Sequence, residues 1–267
     1  MARRRKKVMG KCRICGKYGK LSFEHVPPQR AFNKATIVEY TLESWIAKRK
    51  VKGKYRQGGV GQHTLCEKCN SDTGSWYGDE YVKWTRIGFD ILQHLDQHSE
   101  HFKDKTEILV TLKGVRPLRF LKQVVTCFLS VVGISPEAEF AQNNPELVKF
   151  VLDKQETYLP PGDRFYLTLN RLHRASVIRR HPIGGKLRVR IDKNGNIVPA
   201  EASVFSEIAH PPFGLVMTYG TGFPDATEIT HFKNYKYDDM MDLNLGLAIG
   251  EASDPYPGSY QTRSTME

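Results

Sequence analysis

Two stretches of sequence, Cys12-Arg-Ile-Cys15 and Cys66-Glu-Lys-Cys69-Asn70, decide how the first part of this chain folds. Each contains a C-x2-C knuckle, in which the backbone bends so that two sulfurs face one point. Two such pairs have the spacing of a tetrahedral zinc site. Four thiolates leave no open coordination position, so we expect a structural Zn²⁺. The predicted ligands are Cys12, Cys15, Cys66 and Cys69.

The composition is that of a globular protein, because 40% of the 267 residues are hydrophobic and 26% are charged. No apolar run approaches the roughly 18 residues that a membrane-spanning helix needs, and the basic N-terminus lacks the apolar segment of a signal peptide. Four of the five cysteines are predicted thiolate ligands, which suits a reducing compartment. We therefore expect a cytoplasmic protein with no membrane partner.

Positive charge is concentrated in the first 60 residues. They carry 17 Lys or Arg against three acids, a net charge of +14, whereas the whole chain carries +11. A concentrated basic field attracts polyanions through phosphate contacts and counterion release. For Arg3–Lys7 alone, a tail that only improves solubility is an equal alternative. The further basic residues between Lys48 and Arg56 favour nucleic acid as the partner.

The rest of the chain predicts a mixed α+β fold. Apolar residues recur at helical spacing from Tyr77 to Leu95, which predicts a helix from Asp72 or Ser75 to about His98 with one face in the core. A buried helix over 117–132 contains Cys127, which we interpret as a core residue rather than a nucleophile. A short helix is predicted over 145–152, and Asn194-Gly195 predicts a hairpin turn. The other predicted strands are 20–23, 107–112, 165–169, 213–219 and 243–249.

Three segments follow from these patterns. Residues 1–10 are predicted to be a basic disordered tail. Residues 11–98 are predicted to form a zinc-stabilised module with its linking helix, and 99–267 an α+β domain. The segment 35–50 is ambiguous between strand and helix.

The candidate catalytic residues lie between and just after the knuckles. Glu24 and His25 stand in the stretch Ser-Phe-Glu-His-Val-Pro-Pro over 22–28, and one ion shared by both knuckles would bring them near Asn70. A neutral imidazole can take a proton from water near pH 7. A carboxylate and an amide oxygen are hard ligands suited to Mg²⁺ or Mn²⁺. Because neighbouring strand residues point to opposite faces, a bend at Val26-Pro27 is needed for both to address one phosphate.

This ordered combination resembles the HNH endonucleases, which have a ββα-metal fold. The resemblance covers about residues 10–80 and rests on the knuckles, the Glu-His-Val-Pro segment, a Gly-Gly loop and Asn70. It implies that His25 is the general base, and that Glu24 and Asn70 bind a catalytic Mg²⁺ or Mn²⁺ separate from the zinc. It also implies hydrolysis of phosphodiester bonds. We expect double-stranded DNA as the substrate, with RNA as the alternative, and a role in bacterial or phage defence by analogy.

The chain departs from the family pattern beside the proposed base. The family usually has Asp where Glu24 stands. It often has an asparagine where Gly61 stands, and that asparagine braces the loop carrying the base. Gln62 and His63 are the nearby candidates to brace His25.

A second departure follows the second knuckle. A third metal ligand is common one helical turn beyond Asn70, where this chain has Gly74. Asp72, Thr73 or water would then take its place. Asn70 considered alone could instead be the N-cap of the following helix.

Three hypotheses of function follow. The first is a divalent-metal-dependent endonuclease whose residues 99–267 gate the nuclease, bind a trigger, or bind a protein partner or second copy. The second is a catalytically silent zinc module that binds nucleic acid, with the activity in the C-terminal domain. The third places function wholly in residues 100–267, where basic residues between Arg171 and His181 could bind phosphate.

Overall fold

The computed structural model describes residues 7–39, 54–97, 107–131, 140–171, 177–220, 222, 226–251 and 259–262. Within these residues the chain forms a three-stranded sheet, a ten-stranded sheet and four α-helices. The fold is therefore mixed α+β, as predicted. The helices are α1 (Glu67–Gln97), α2 (Pro117–Val131), α3 (Phe140–Asn143) and α4 (Pro145–Leu152). The strands are β1 (Met9–Lys11), β2 (Tyr18–His25), β3 (Ile37–Glu39), β4 (Lys54–Arg56), β5 (Gly61–Cys66), β6 (Glu107–Val115), β7 (Asp163–Arg171), β8 (Val177–Ile191), β9 (Ile197–His210), β10 (Phe213–Tyr219), β11 (Thr227–Glu228), β12 (Met241–Glu251) and β13 (Ser259–Thr262).

The small sheet carries the knuckles and has the order β1-β2-β5, with both pairings antiparallel. The prediction of a disordered tail over 1–10 is wrong for Met9 and Gly10, which pair with Lys20 and Gly19 because β2 offers them an open edge. Residues 1–6 lie outside the described residues. Helix α1 follows β5 with no intervening residue. Two antiparallel strands therefore lead directly into a helix.

Helix α1 begins at Glu67, several residues earlier than predicted. The reason is the knuckle itself, because the sulfur of Cys66 accepts a hydrogen bond from the backbone N–H of Cys69 at 3.5 Å. This contact satisfies one of the first helical N–H groups, as an N-cap oxygen usually does. Asn70 consequently lies inside the first turns of α1, so its interpretation as the N-cap is wrong.

The apolar face of α1 packs in the core, as its periodicity predicted. The Trp84 ring stacks on Phe120 of α2 with ring centroids 4.0 Å apart and an interplanar angle of 12°. Gly88 permits a close approach, because a Cβ there would lie 2.7 Å from Pro212 in the turn between β9 and β10. The predicted buried position of Cys127 in α2 is also confirmed. These contacts pack α1 against α2 and against the turn between β9 and β10 of the large sheet.

The large sheet joins the two halves of the chain. Its strand order is β4-β3-β13-β8-β9-β10-β7-β12-β6, with β11 paired to β7. The short strands β3 and β4 lie between the knuckles in sequence, yet β3 pairs with β13 near the C-terminus. The ambiguous segment 35–50 thus contains a strand at 37–39, and 40–50 lies outside the described residues. One hydrophobic cluster runs from Cys12 to Ile249, so the N-terminal module and the C-terminal half share a core.

The predicted strands and the hairpin turn are present. Gly195 has a φ of 82°, a conformation that glycine adopts without strain, between β8 and β9. The backbone N–H groups of Asn194 and Asn196 donate to Oδ1 of Asp192 at 2.8 and 2.9 Å, which closes the turn. Among the helices of the described ranges, none combines the length and apolar character that crossing a bilayer requires.

Candidate active site and metal centre

The four cysteines of the knuckles form one cluster. Their sulfurs all lie within 4.8 Å of one another, and Sγ of Cys15 is 3.8 Å from Sγ of Cys66. The first knuckle closes as a turn in which Gly16 adopts a φ of 71° and donates its N–H to the Cys12 carbonyl. Cys12 and Cys69 are buried, whereas the other two are half-buried. The four-cysteine cluster could therefore hold a metal ion.

The electrostatics of the cluster show what a metal ion would change. A hydrogen bond from Cys69 lowers the pKa of Cys12 to about 4, so one thiolate forms readily. The same contact and burial raise the pKa of Cys69, and burial raises that of Cys15. Without a cation, a thiolate on one cysteine disfavours ionisation of the neighbouring thiols through charge repulsion. A bound cation removes this repulsion, because thiolates are the form that coordinates metal. The four sulfur donors thus fit a Cys₄ site for an ion such as zinc.

Glu24, His25 and Asn70 line one cleft of about 190 Å³, which we call the candidate cleft. The sequence placed these residues on two remote segments, and the pairing of β2 with β5 ahead of α1 brings them together. Glu24 and His25 are neighbours at the end of β2, and both reach the cleft where the chain bends at Val26 and Pro27. The other lining residues are Phe23, Pro28, Gln29, Thr73, Gly74 and Gln123.

The imidazole of His25 is held in one tautomer. Its Nε2 lies 2.8 Å from the carbonyl oxygen of Gly58. Since a carbonyl oxygen can only accept, Nε2 carries the proton and donates. In the neutral ring, Nδ1 is then the nitrogen that can accept a proton. The ring of Phe23 packs edge-on against His25 at 4.9 Å and limits its rotation.

Glu24 and Asn70 supply oxygen donors beside this imidazole. The Glu24 side chain is only 5% exposed. It has contacts within the protein, although its buried Oε2 atom accepts no hydrogen bond from the described residues. Asn70 donates from Nδ2 to Ser22 Oγ at 3.0 Å and to the Phe23 carbonyl at 3.3 Å. With its nitrogen directed at β2, the amide offers Oδ1 as an acceptor. A carboxylate and an amide oxygen fit a hard divalent cation.

The residue that braces the loop beside His25 is Asn33, which the sequence analysis missed. Asn33 is 1% exposed. Its Nδ2 donates to the carbonyls of Pro27 and Val60 at 2.7 Å each, and its Oδ1 accepts from the Val60 N–H at 2.6 Å. Gly59 lies against it so closely that a Cβ there would be 2.2 Å from the Asn33 carbonyl oxygen. These bonds fix the loop that presents the Gly58 carbonyl to His25.

The two residues predicted to brace His25 have other contacts. Gln62 Nε2 donates to the carbonyl of Ser130 in α2 at 2.8 Å. The exposed His63 ring packs edge-on against Phe23 with centroids 5.3 Å apart. Both residues lie on β5, opposite the end of β2 and outside the cleft lining, and their role as a brace of His25 stays a prediction. No local sequence pattern marks Asn33, because its partners are 6 and 27 residues away.

Helix α1 carries Asp72 and Thr73, the two residues predicted to replace the third metal ligand. Asp72 forms an ion pair with Lys68 at 2.5 Å and is not part of the cleft lining. Thr73 does line the cleft, but its hydroxyl donates to the Cys69 carbonyl at 2.8 Å. The helix α2 contributes Gln123 to the lining, and no sequence pattern pointed to it. The neighbouring Cys127 is a buried thiol whose pKa is raised to about 12, mainly by burial and further by the charge of Glu24.

Comparisons of this chain with protein-family models, with curated proteins and with solved structures find no match.

Proposed function

We propose that this protein is a divalent-metal-dependent endonuclease that hydrolyses phosphodiester bonds, with double-stranded DNA as its substrate. The observation that carries the proposal is the convergence of Glu24, His25 and Asn70 in one cleft, with the His25 ring fixed by the Gly58 carbonyl. A base of defined tautomer, beside two hard oxygen donors that can hold a divalent ion, is suited to activating water at a phosphate. The ββα order of β2, β5 and α1 agrees with the resemblance to HNH nucleases.

His25 has the central role in this proposal. Its Nδ1 accepts the proton of a water molecule as that water attacks phosphorus, while Nε2–H stays on the Gly58 carbonyl. The carbonyl also stabilises the imidazolium that forms, because its dipole faces the ring. Glu24 Oε2 and Asn70 Oδ1 would hold a Mg²⁺ or Mn²⁺ ion. Such an ion, when bound, supplies positive charge that neutralises the phosphate and the leaving oxygen.

The four-cysteine cluster has a structural role in the proposal. Zinc on the cluster ties the β1–β2 turn to the start of α1, and so sets Asn70 against β2. Metal binding of this kind supplies about 10 kcal/mol or more of folding free energy at neutral pH. The small sheet has three short strands, so we expect its geometry to depend on that ion.

The basic first 60 residues support a nucleic acid substrate. Their net charge of +14 would attract the phosphate backbone without reading its sequence. Within the described part of this region, Arg56 lies in β4 and Lys20 in β2. Residues 48–52, which carry much of the predicted basic run, lie outside the described residues.

Incubation of the purified protein with plasmid DNA and with RNA tests the proposal. Each substrate is tested with Mg²⁺, with Mn²⁺ and with EDTA. We expect nicking or linearisation of the plasmid that depends on the added ion and stops with EDTA. Cleavage of RNA alone would correct the substrate class. Binding to DNA with no cleavage under any ion would favour the catalytically silent zinc module instead.

A further inference from the structure

Helix α2 belongs to the second half of the chain, yet it forms one wall of the candidate cleft. Gln123, in the second turn of α2, lines the cleft together with Glu24 and Asn70. The side chain of Gln123 is 3% exposed. A buried amide in a polar cleft between two parts of a protein requires a partner, because an unsatisfied buried polar group costs about 1–3 kcal/mol.

The amide oxygen of Gln123 has no such partner within the described residues. Its nitrogen, Nε2, donates to Sγ of Cys127 one turn further along α2, at 3.6 Å. Its oxygen, Oε1, is buried and accepts no hydrogen bond. The thiol fixes the nitrogen end, so the oxygen end faces away from it. An oxygen acceptor of this kind suits a cation or a donor hydrogen, but not a phosphate oxygen.

The position of α2 relative to the N-terminal module is fixed by two further hydrogen bonds. The carbonyl of Ser130, near the end of α2, accepts from Nη1 of Arg13 at 2.7 Å and from Nε2 of Gln62 at 2.8 Å. Arg13 lies in the first knuckle and Gln62 in β5. The carbonyls at the end of a helix are its negative pole, which favours the guanidinium there. These contacts anchor Gln123 at a set depth in the cleft.

We infer that Oε1 of Gln123 is the third protein oxygen of the divalent-ion site formed with Glu24 and Asn70. This inference rests on the proposed function. It fills the position that the sequence left open, since Gly74 has no side chain to offer and Asp72 is paired with Lys68. One carboxylate and two amide oxygens leave the remaining coordination positions to water and to substrate phosphate, as Mg²⁺ sites commonly do.

The inference assigns a role to residues 99–267. The C-terminal half supplies one ligand of the ion site, so the N-terminal module alone does not hold the complete site. The isolated residues 11–98 would keep Glu24, His25 and Asn70 but would lack one ligand. Any movement of α2 away from the small sheet would withdraw that ligand and lower the affinity for the ion.

Calorimetric titration of Mn²⁺ alone into the zinc-loaded full chain tests the inference without any cleavage. Four proteins are compared: the wild type, Gln123→Met, Gln123→Glu, and Gln142→Met as the matched control. Gln142 lies in α3, and its buried Nε2 also lacks a hydrogen bond, but it does not line the candidate cleft. Zinc content and thermal unfolding establish that each variant is folded.

Loss of even an outer-shell partner weakens metal affinity by about 10–100-fold. We therefore expect Gln123→Met to weaken Mn²⁺ binding by at least about tenfold. Gln123→Glu should bind more tightly than the wild type, since it adds a charge at the ligand atom. Gln142→Met should match the wild type. If Gln123→Met fails to fold, the Gln123→Glu result decides.

Failure of the inference and failure of the proposed function give different results in this titration. If the wild type binds Mn²⁺ and Gln123→Met binds it equally well, or Gln123→Glu binds no better than the wild type, the inference is overturned and the nuclease proposal stands. If the wild type takes up no ion beyond zinc, the divalent-ion nuclease and the role of Gln123 both fail.

Discussion

Asn33→Ala is the substitution whose effect can be worked out most fully from the structure. The change removes three hydrogen bonds, two to carbonyl oxygens and one from the Val60 N–H, and every partner is buried. At about 1 kcal/mol for each lost bond, and more where a buried group stays unsatisfied, the free energy of unfolding should fall by about 3 kcal/mol. The loop carrying the Gly58 carbonyl then loses its brace. A displacement of about 1 Å at His25 could slow cleavage by about 100-fold.

Equilibrium unfolding in urea, with zinc bound, measures the first effect, and single-turnover plasmid cleavage measures the second. Asn33→Asp should be no better than Asn33→Ala, because it keeps the acceptor but sets a carboxylate against two carbonyl oxygens. Asn194→Ala, in the exposed hairpin turn, is the control and should stay within about 0.5 kcal/mol of wild type. A loss below about 1 kcal/mol with an unchanged cleavage rate would refute the bracing role of Asn33.

Three further outcomes are expected. Cys66→Ser should abolish zinc uptake, measured by elemental analysis, and unfold the small sheet, measured by circular dichroism; retention of one zinc per chain would count against the cluster. Burial lowers the pKa of His210 from 6.5 to about 4. Between pH 6.5 and pH 4, His210 therefore binds a proton in the unfolded chain but not in the folded chain. Stability relative to His210→Asn should fall by about 3 kcal/mol as the pH drops from 6.5 to 4, at about 1.4 kcal/mol per unit, and parallel pH curves would contradict this. DNA affinity should fall steeply with salt because of the basic first 60 residues; a flat salt dependence would remove the electrostatic role.

Periodicity and turn chemistry were sufficient to predict much of the fold. The apolar residues from Tyr77 to Leu95 form one face of α1, whereas α2 is apolar on most sides, and both patterns predict burial in a core. The hairpin at Asn194-Gly195 follows from local backbone preferences. These features depend on residues close in sequence, and a sequence pattern can therefore report them.

The start of α1 was missed because its capping group is a cysteine sulfur rather than an oxygen. Cap rules based on Ser, Thr, Asp and Asn place the first turn at Asp72 or Ser75, whereas the Cys66 sulfur already satisfies the Cys69 N–H. The knuckle and the helix are one structure. A C-x2-C pair directly before an apolar helical pattern can thus itself mark a helix N-terminus.

Long-range contacts account for what the sequence could not predict at the candidate site. Glu24, His25 and Asn70 share a cleft as expected, since the knuckles relate their positions. Asn33 is positioned by partners in other segments, Gln123 is positioned by the packing of α2 against the N-terminal module, and neither residue belongs to a short motif. The roles of these five residues in taking a proton, binding an ion or bracing the loop are predictions that kinetics and metal binding test.

The most direct test of the account is the single-turnover rate of plasmid cleavage by His25→Ala, measured with saturating Mn²⁺ and protein. A general base contributes about 10²–10⁴-fold to such a rate. We predict a loss in that range, with zinc content and DNA affinity close to wild type, because the imidazole bonds to the Gly58 carbonyl and packs on Phe23 and is not one of the four cysteine ligands. Cleavage by His25→Ala at the wild-type rate would contradict the assignment of the candidate cleft as a nuclease active site.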